Sequence, residues 1–447
     1  MSPEPFIYLP NVMLQVPEVI LIIRRRWCYV FQDFKYHYIC TNMVYQILKW
    51  ALLLLIVGLA AGTLSAIFLS SLNWVTNYRE AHQWLIYLLP VAGLVIGLIY
   101  HHRGKEVVRG NNLVLDTIHN PKDVIPLKML PLVLGGTLIT HLFGGSAGRE
   151  GTALQMSAAV ADQLHKPFKL SSEERSILLI AGLSAGFASV FGTPLAGAIF
   201  GLEVLLMKKV PLKAIVPALI AAFLGAYITE LWGVGHTQYH ISEVPSLSLK
   251  GIALGVVAGL LFGLAAVLFV KSTHYLSRVS LFIKYAPVRP VIGGLIVVLG
   301  FLVLNSTKYL GLGIPEIVKS FEEPSLPQDF LLKIFLTAVT LGFGFKGGEV
   351  TPLFFIGATL GSALSLVLPL PVSLLAGMGF VAVFSASAKT PIACCFMAIE
   401  LFGISCGIYA AIACVIAYLV SGRSGIYNFP ENRTPRHFLF GSFALFS

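Results

Sequence analysis

Apolar runs of about twenty residues follow one another along this chain with no polar domain between them. Residues 50–69, 84–100, 210–227, 252–270 and 291–304 are the clearest. Several approach or reach the roughly 20 residues that cross a bilayer as a helix. Only 12% of the 447 residues are charged and 56% are hydrophobic, so the charged share is about half that of a soluble domain. A membrane of this kind admits helices or closed barrels, and runs of this length are helical. The chain therefore reads as an all-α polytopic membrane protein, and the unbroken succession of runs points to one membrane domain.

The net charge of +10 comes from basic residues scattered over short loops. That is the pattern of cytoplasmic connections, and it favours the approach of anions rather than binding of nucleic acid. The six cysteines, Cys28, Cys40, Cys394, Cys395, Cys406 and Cys414, have no metal-ligand spacing. His236 and His240 lack a third ligand and read as solvated loop residues. No metal or cofactor is expected. Without a Ser/His pairing or a His-x-x-Glu-His-type set, an enzyme is not expected either; a membrane-embedded hydrolase using Glu150 and Glu349 is the weakest reading.

Residues 1–42 form a leader. Its apolar stretch at 12–23 precedes Arg24-Arg25-Arg26, the reverse of a secretory signal. It reads either as an interfacial helix on the cytoplasmic side or as a segment upstream of a true start at Met43. Residues 43–232 form a first repeat, 233–249 a polar connecting loop, 250–427 a second repeat, and 428–447 a tail without an assigned role. Within the first repeat, Ser171-Ser172-Glu173-Glu174 reads as a capped helix start, and Phe191-Gly192-Thr193-Pro194 begins the helix that ends at Glu203.

Three matches in the same order reveal the repeat. Gly148-x-Glu150-x-Thr152 recurs as Gly347-x-Glu349-x-Thr351. Thr193-Pro194-Leu195-Ala196, with Glu203 ten residues after the threonine, recurs as Thr390-Pro391-Ile392-Ala393 with Glu400 ten after. Gly110-Asn111-Asn112-Leu113 has a positional counterpart in Gly311-Leu312-Gly313-Ile314. Internal repeats with short, glycine-interrupted segments mark transporters and place the site between the halves. Spacing alone leaves open whether the repeats are parallel or inverted.

The chemistry concentrates at Gly148-Arg149-Glu150-Gly151-Thr152. A carboxylate in the first turn of a helix meets unpaired N–H groups and the positive end of the dipole, and the same groups bind free anions. Ionised, Glu150 occupies an anion site. Protonated, it leaves and admits an anion. The bland alternative is a helix-capping carboxylate. Arg149 either raises the local potential or holds its loop by bonding carbonyls, and the second is favoured. Glu349 reads as a second proton carrier or hydrogen-bond donor, against an ion pair with Lys346. Asn111 and Thr351 offer an amide and a hydroxyl, or serve as helix caps. Tyr427 alone would read as an interfacial anchor. Glu203 and Glu400 read as structural groups bonding the N–H groups of a neighbouring helix.

Over residues 43–427 the chain resembles the CLC family of chloride channels and anion/proton exchangers, on the specific motif Gly148-Arg149-Glu150-Gly151. The resemblance implies two inverted repeats of tilted, broken helices and a homodimer with one pore per subunit. It also implies that Glu150 gates the pore and carries protons. Departures point to the fluoride/proton antiporter branch. Asn111 stands where chloride members have serine, and Val350 where they have an aromatic residue. Val204 stands at the place of the inner proton glutamate. The resemblance assigns Glu349 and Thr351 to transport, and Tyr427 to the central anion site beside Gly148, Arg149, Gly151 and Val350. A small hard anion needs close, strong donors to offset lost hydration, which these residues supply. The expected function is export of fluoride across a bacterial plasma membrane in exchange for protons. A chloride/proton exchanger and a passive anion channel of the same fold are the alternatives.

Overall fold

The computed structural model describes the backbone of residues 16–121, 124–205 and 212–427, with side chains from Met43 on. The sequence readings of residues 1–15, of the leader's side chains and of the 428–447 tail lie outside these residues. The chain divides within its first helix into two units, Met1–Leu53 and Leu54–Ser447. The first is described as a helical run from Val16; the second carries everything below.

Helices α1 (Val16–Ala81), α2 (Leu89–Arg103), α3 (Asn111–His119), α4 (Met129–Leu142), α5 (Glu150–Gln163), α6 (Ser172–Phe191), α7 (Pro194–Glu203) and α8 (Ile215–Leu231) make the first half. Helices α9 (Leu249–Ser280), α10 (Arg289–Leu304), α11 (Ile314–Lys319), α12 (Asp329–Gly342), α13 (Val350–Leu364), α14 (Val372–Ala388), α15 (Pro391–Phe402) and α16 (Gly407–Val420) repeat that order in the second. Six helical segments among the described residues are long and apolar enough to cross a membrane, and the others are shorter apolar pieces. The predicted starts hold locally. Ser171 and Glu174 form the reciprocal capping box at α6, and prolines sit in the first turns of α7 and α15.

Broken helices leave backbone groups at membrane depth that must find partners inside the protein. The two repeats supply them to each other in reciprocal pairs. Gly148 N–H donates to the Gly348 carbonyl at 2.6 Å, and Gly348 N–H to the Gly148 carbonyl at 2.7 Å, an antiparallel bridge between the motif loops. Thr340 Oγ1 accepts from Ser146 N at 3.1 Å, while Thr140 Oγ1 accepts from Lys346 N at 3.3 Å. The Glu203 carboxylate accepts from Ile392 N and Ala393 N at the start of α15. Glu400 returns the contact to Leu195 N and Ala196 N at the start of α7, the structural role expected of both glutamates. The architecture is two inverted repeats of broken helices, with this buried seam between them.

The reciprocal bridge corrects the register read from the sequence. Gly148 matches Gly348, not Gly347. Arg149 therefore corresponds to Glu349, Glu150 to Val350, and Gly151 to Thr351. Likewise Gly110 matches Gly313, since each immediately precedes its short helix, α3 or α11, so Asn111 corresponds to Ile314.

Candidate functional site

Glu150 is the first residue of α5 and is fully buried. Its Oε2 accepts from the backbone N–H groups of Thr351 and Arg149, both at 3.1 Å. Its Oε1 accepts the Thr351 hydroxyl and lies 4.0 Å from Arg149 Nε. The carboxylate of one repeat thus sits on the N-terminus of α13 in the other, where orphan N–H groups and the dipole favour negative charge. Gly148 makes room for it. A Cβ there would stand 2.7 Å from Glu150 Oε2, 2.9 Å from Pro352 Cδ and 3.0 Å from the Gly348 carbonyl oxygen.

The residues on either side of Glu150 face different cavities. Arg149 lines a 20 Å³ cavity with His236, Tyr239, Thr351 and Phe354. It also borders a 730 Å³ vestibule with Arg79, Glu80, Lys308 and Glu316. Gly151 packs on the other side, where its Cβ position lies 3.0 Å from Asn111 Nδ2. Asn111 lines a 170 Å³ cavity with Gln155, Glu349 and Tyr427, rimmed by the exposed Val108 and Arg109. The two cavities lie at opposite ends of α2: the vestibule meets the end of α1, and the Asn111 cavity meets the loop after Arg103.

The structure thus gathers Gly148, Arg149, Glu150, Gly151, Val350 and Thr351 at the seam, and Asn111, Glu349 and Tyr427 in one cavity beside it. Several side-chain readings change. Arg149 makes no carbonyl bond among the described residues; it faces the cavities instead. Lys346 lies over the Tyr100 ring at 4.1 Å and forms no ion pair with Glu349. The Thr351 hydroxyl goes to the carboxylate rather than to backbone. Gly110, not Asn111, caps α3, and Asn111 Oδ1 is buried with no partner among the described residues. Tyr427 is 6% exposed, so it is not an interfacial anchor. Nor is His236 solvated: its Nδ1 donates to the Val190 carbonyl at 3.1 Å, and its ring covers Gly192.

Val350 is buried at the start of α13, in the place that Glu150 holds in repeat one. Val204 closes α7 in the apolar layer beneath Asn111 and Tyr427. Sequence reasoning missed Gln155, although its place one turn beyond Gly151 puts it on that residue's face of α5.

Inverted repeats, broken membrane helices and a carboxylate set between two cavities define a polytopic membrane protein built to pass small ions. Residues 92–422 match the model for the voltage gated chloride channel family, and the chain belongs to that family, the CLC proteins. This places it among anion channels and transporters of the cell membrane, not among enzymes. The chloride/fluoride channel protein of Pseudomonas syringae pv. tomato is 53% identical over 394 residues, 87% of each chain. The H+/Cl− exchange transporter ClcA of Vibrio cholerae is 27% identical over 388 residues, 78% of this chain and 80% of its own. The crystal structure of a CLC-type fluoride/proton antiporter is similar at a TM-score of 0.83 and 35% identity, over 86% of this chain and 98% of that one. A slow cyanobacterial Cl−/H+ antiporter shares the fold, at a TM-score of 0.74 and 19% identity over 83% and 94%.

Proposed function

We propose that the chain is a fluoride/proton antiporter that expels fluoride across the cell membrane by admitting protons. The observation that carries the reading is the Glu150 carboxylate held by Thr351 between the two cavities. A protonated Glu150 no longer needs the Thr351 and Arg149 N–H groups, and a small anion takes them. On deprotonation the carboxylate returns and displaces the anion, so one group couples the two movements. The likeness to a chloride/fluoride channel protein and to a CLC-type fluoride/proton antiporter supports the choice of anion. So does the chemistry of the Asn111 cavity, where an amide, a carboxyl and a phenol surround a space that fluoride, the more strongly hydrated halide, would enter with little water.

On this reading the Asn111 cavity opens to the cytoplasm. The loop after α2 that borders it carries Arg103, Lys105 and Arg109 against Glu106, which pairs with Lys128, whereas in the vestibule Arg79 and Lys308 are matched by Glu80 and Glu316. Short cytoplasmic loops carry the basic excess. The protein works as a homodimer with one pore per subunit; Val216, Ile220, Phe223 and Tyr227 expose an apolar stripe on α8 suited to a second copy.

The test uses purified protein in sealed liposomes loaded with fluoride or chloride, recording anion efflux and internal pH together for wild type and Glu150→Gln. Fluoride efflux with matching proton uptake, weak for chloride and uncoupled in the variant, is expected. Equal chloride flux would make this a chloride/proton exchanger. Fluoride flux without proton movement would make it a channel.

A further inference from the structure

Gln155 is 8% exposed and lines the Asn111 cavity. Its carboxamide lies against Gly110, the positive-φ residue before α3; a Cβ on Gly110 would stand 3.2 Å from Gln155 Nε2. Neither amide atom has a hydrogen-bond partner among the described residues. The amide therefore reaches the cavity instead of bonding protein, and the second repeat shows that this position does not need one. There, Phe355 corresponds to Gln155 and Gly313 to Gly110, also at positive φ. The Phe355 ring fills the same contact, its Cδ2 2.7 Å from the Cβ position on Gly313, and is fully buried. An apolar ring therefore satisfies the packing. The first repeat instead turns two N–H donors toward a cavity that also holds Asn111 with its unpartnered Oδ1.

We propose that Gln155 donates to the transported anion in the Asn111 cavity and, with Asn111, sets how tightly that anion is held there. The proposal rests on the antiporter reading for the identity of the anion. A neutral amide suits the task. It replaces part of the hydration shell without adding a fixed charge that would trap the ion beside Glu349.

The test measures equilibrium fluoride binding by calorimetry in detergent, and the fluoride dependence of initial efflux in liposomes, for wild type, Gln155→Met and Gln155→Asn. Methionine keeps the volume and removes the donors. Its half-saturating fluoride should rise about tenfold or more, with thermal midpoint and protons moved per fluoride unchanged. Unchanged affinity, or a slower maximal rate at unchanged half-saturation, would leave Gln155 a packing residue like Phe355 and overturn the proposal. Should Gln155→Met not yield monodisperse protein, Gln155→Asn decides: its shortened amide should weaken fluoride binding at native stability, and wild-type affinity would overturn the idea. If wild type moves chloride as readily as fluoride, the antiporter's anion choice fails separately. The same comparison then runs on chloride, with the same rise expected.

Discussion

Arg149 and Glu349 hold the same position in the two repeats and face opposite cavities. Because the repeats are inverted, one position yields two mouths, a guanidinium at one and a carboxyl at the other. Arg149→Gln should slow fluoride flux several-fold at low ionic strength and less in high salt, since the attraction of a cavity wall is screened over about 10 Å at 0.1 M. Glu349→Gln should keep fluoride moving while lowering the protons moved per fluoride. Paired efflux and pH records across a salt series check both, and a salt-independent Arg149→Gln defect would refute the electrostatic role.

Thr351 gives the Glu150 carboxylate two bonds, one from its backbone and one from its hydroxyl. Thr351→Val keeps the shape and the backbone N–H but removes the hydroxyl. A hydrogen bond to a charged group is worth about 1.5–3 kcal/mol, so the ionised Glu150 should hold its seat less well. The expected result is fluoride leak without equal proton flux. Unchanged coupling would mean that the backbone donors suffice.

Gly148, packed at the seam, and Gly135, open on α4, contrast close approach with free space. Gly148→Ala meets three atoms at 3.0 Å or less, among them a Glu150 carboxylate oxygen. It should cost about 1–3 kcal/mol and suppress transport. Gly135, inside α4, has nothing within 4 Å of its Cβ position. Gly135→Ala should keep or raise stability, by up to about 1 kcal/mol. Thermal midpoints in detergent separate the two.

The Glu203 and Glu400 clamps join α7 and α15 across the repeats. Glu203→Gln and Glu400→Gln should each lower stability by about 1–2 kcal/mol, through weakened charge-assisted bonds. Proton coupling should persist, because neither touches Glu150. The double variant should show additive loss; an interaction beyond about 0.5 kcal/mol would mean the clamps act as one unit.

Much of this molecule is legible in the chain alone because its causes are local. Apolar runs, the Ser171–Glu174 box and the prolines opening α7 and α15 act within a few residues, and the helices start where those signals stand. Glu150 could be singled out for the same reason, since a carboxylate after a glycine turn announces a helix N-terminus. The reciprocal glutamates were also foreseeable, because a carboxylate at the end of a membrane helix needs donors and helix starts offer them.

Register and facing were decided only in three dimensions. Matching letters set Glu150 against Glu349, but the backbone bridge sets it against Val350. A one-residue shift on a helix start turns a side chain through about 100°, which is why Glu349 does not take the seat in its own repeat that Glu150 takes in the first. Likewise Gln155, Tyr427 and Asn111 are distant in sequence and meet only because α3, α5 and the 421–427 segment converge. The sequence determined where helices form and which groups carry charge into the membrane. The tertiary structure decided which donor meets which acceptor, because contacts across the two-repeat seam depend on packing that no local pattern encodes.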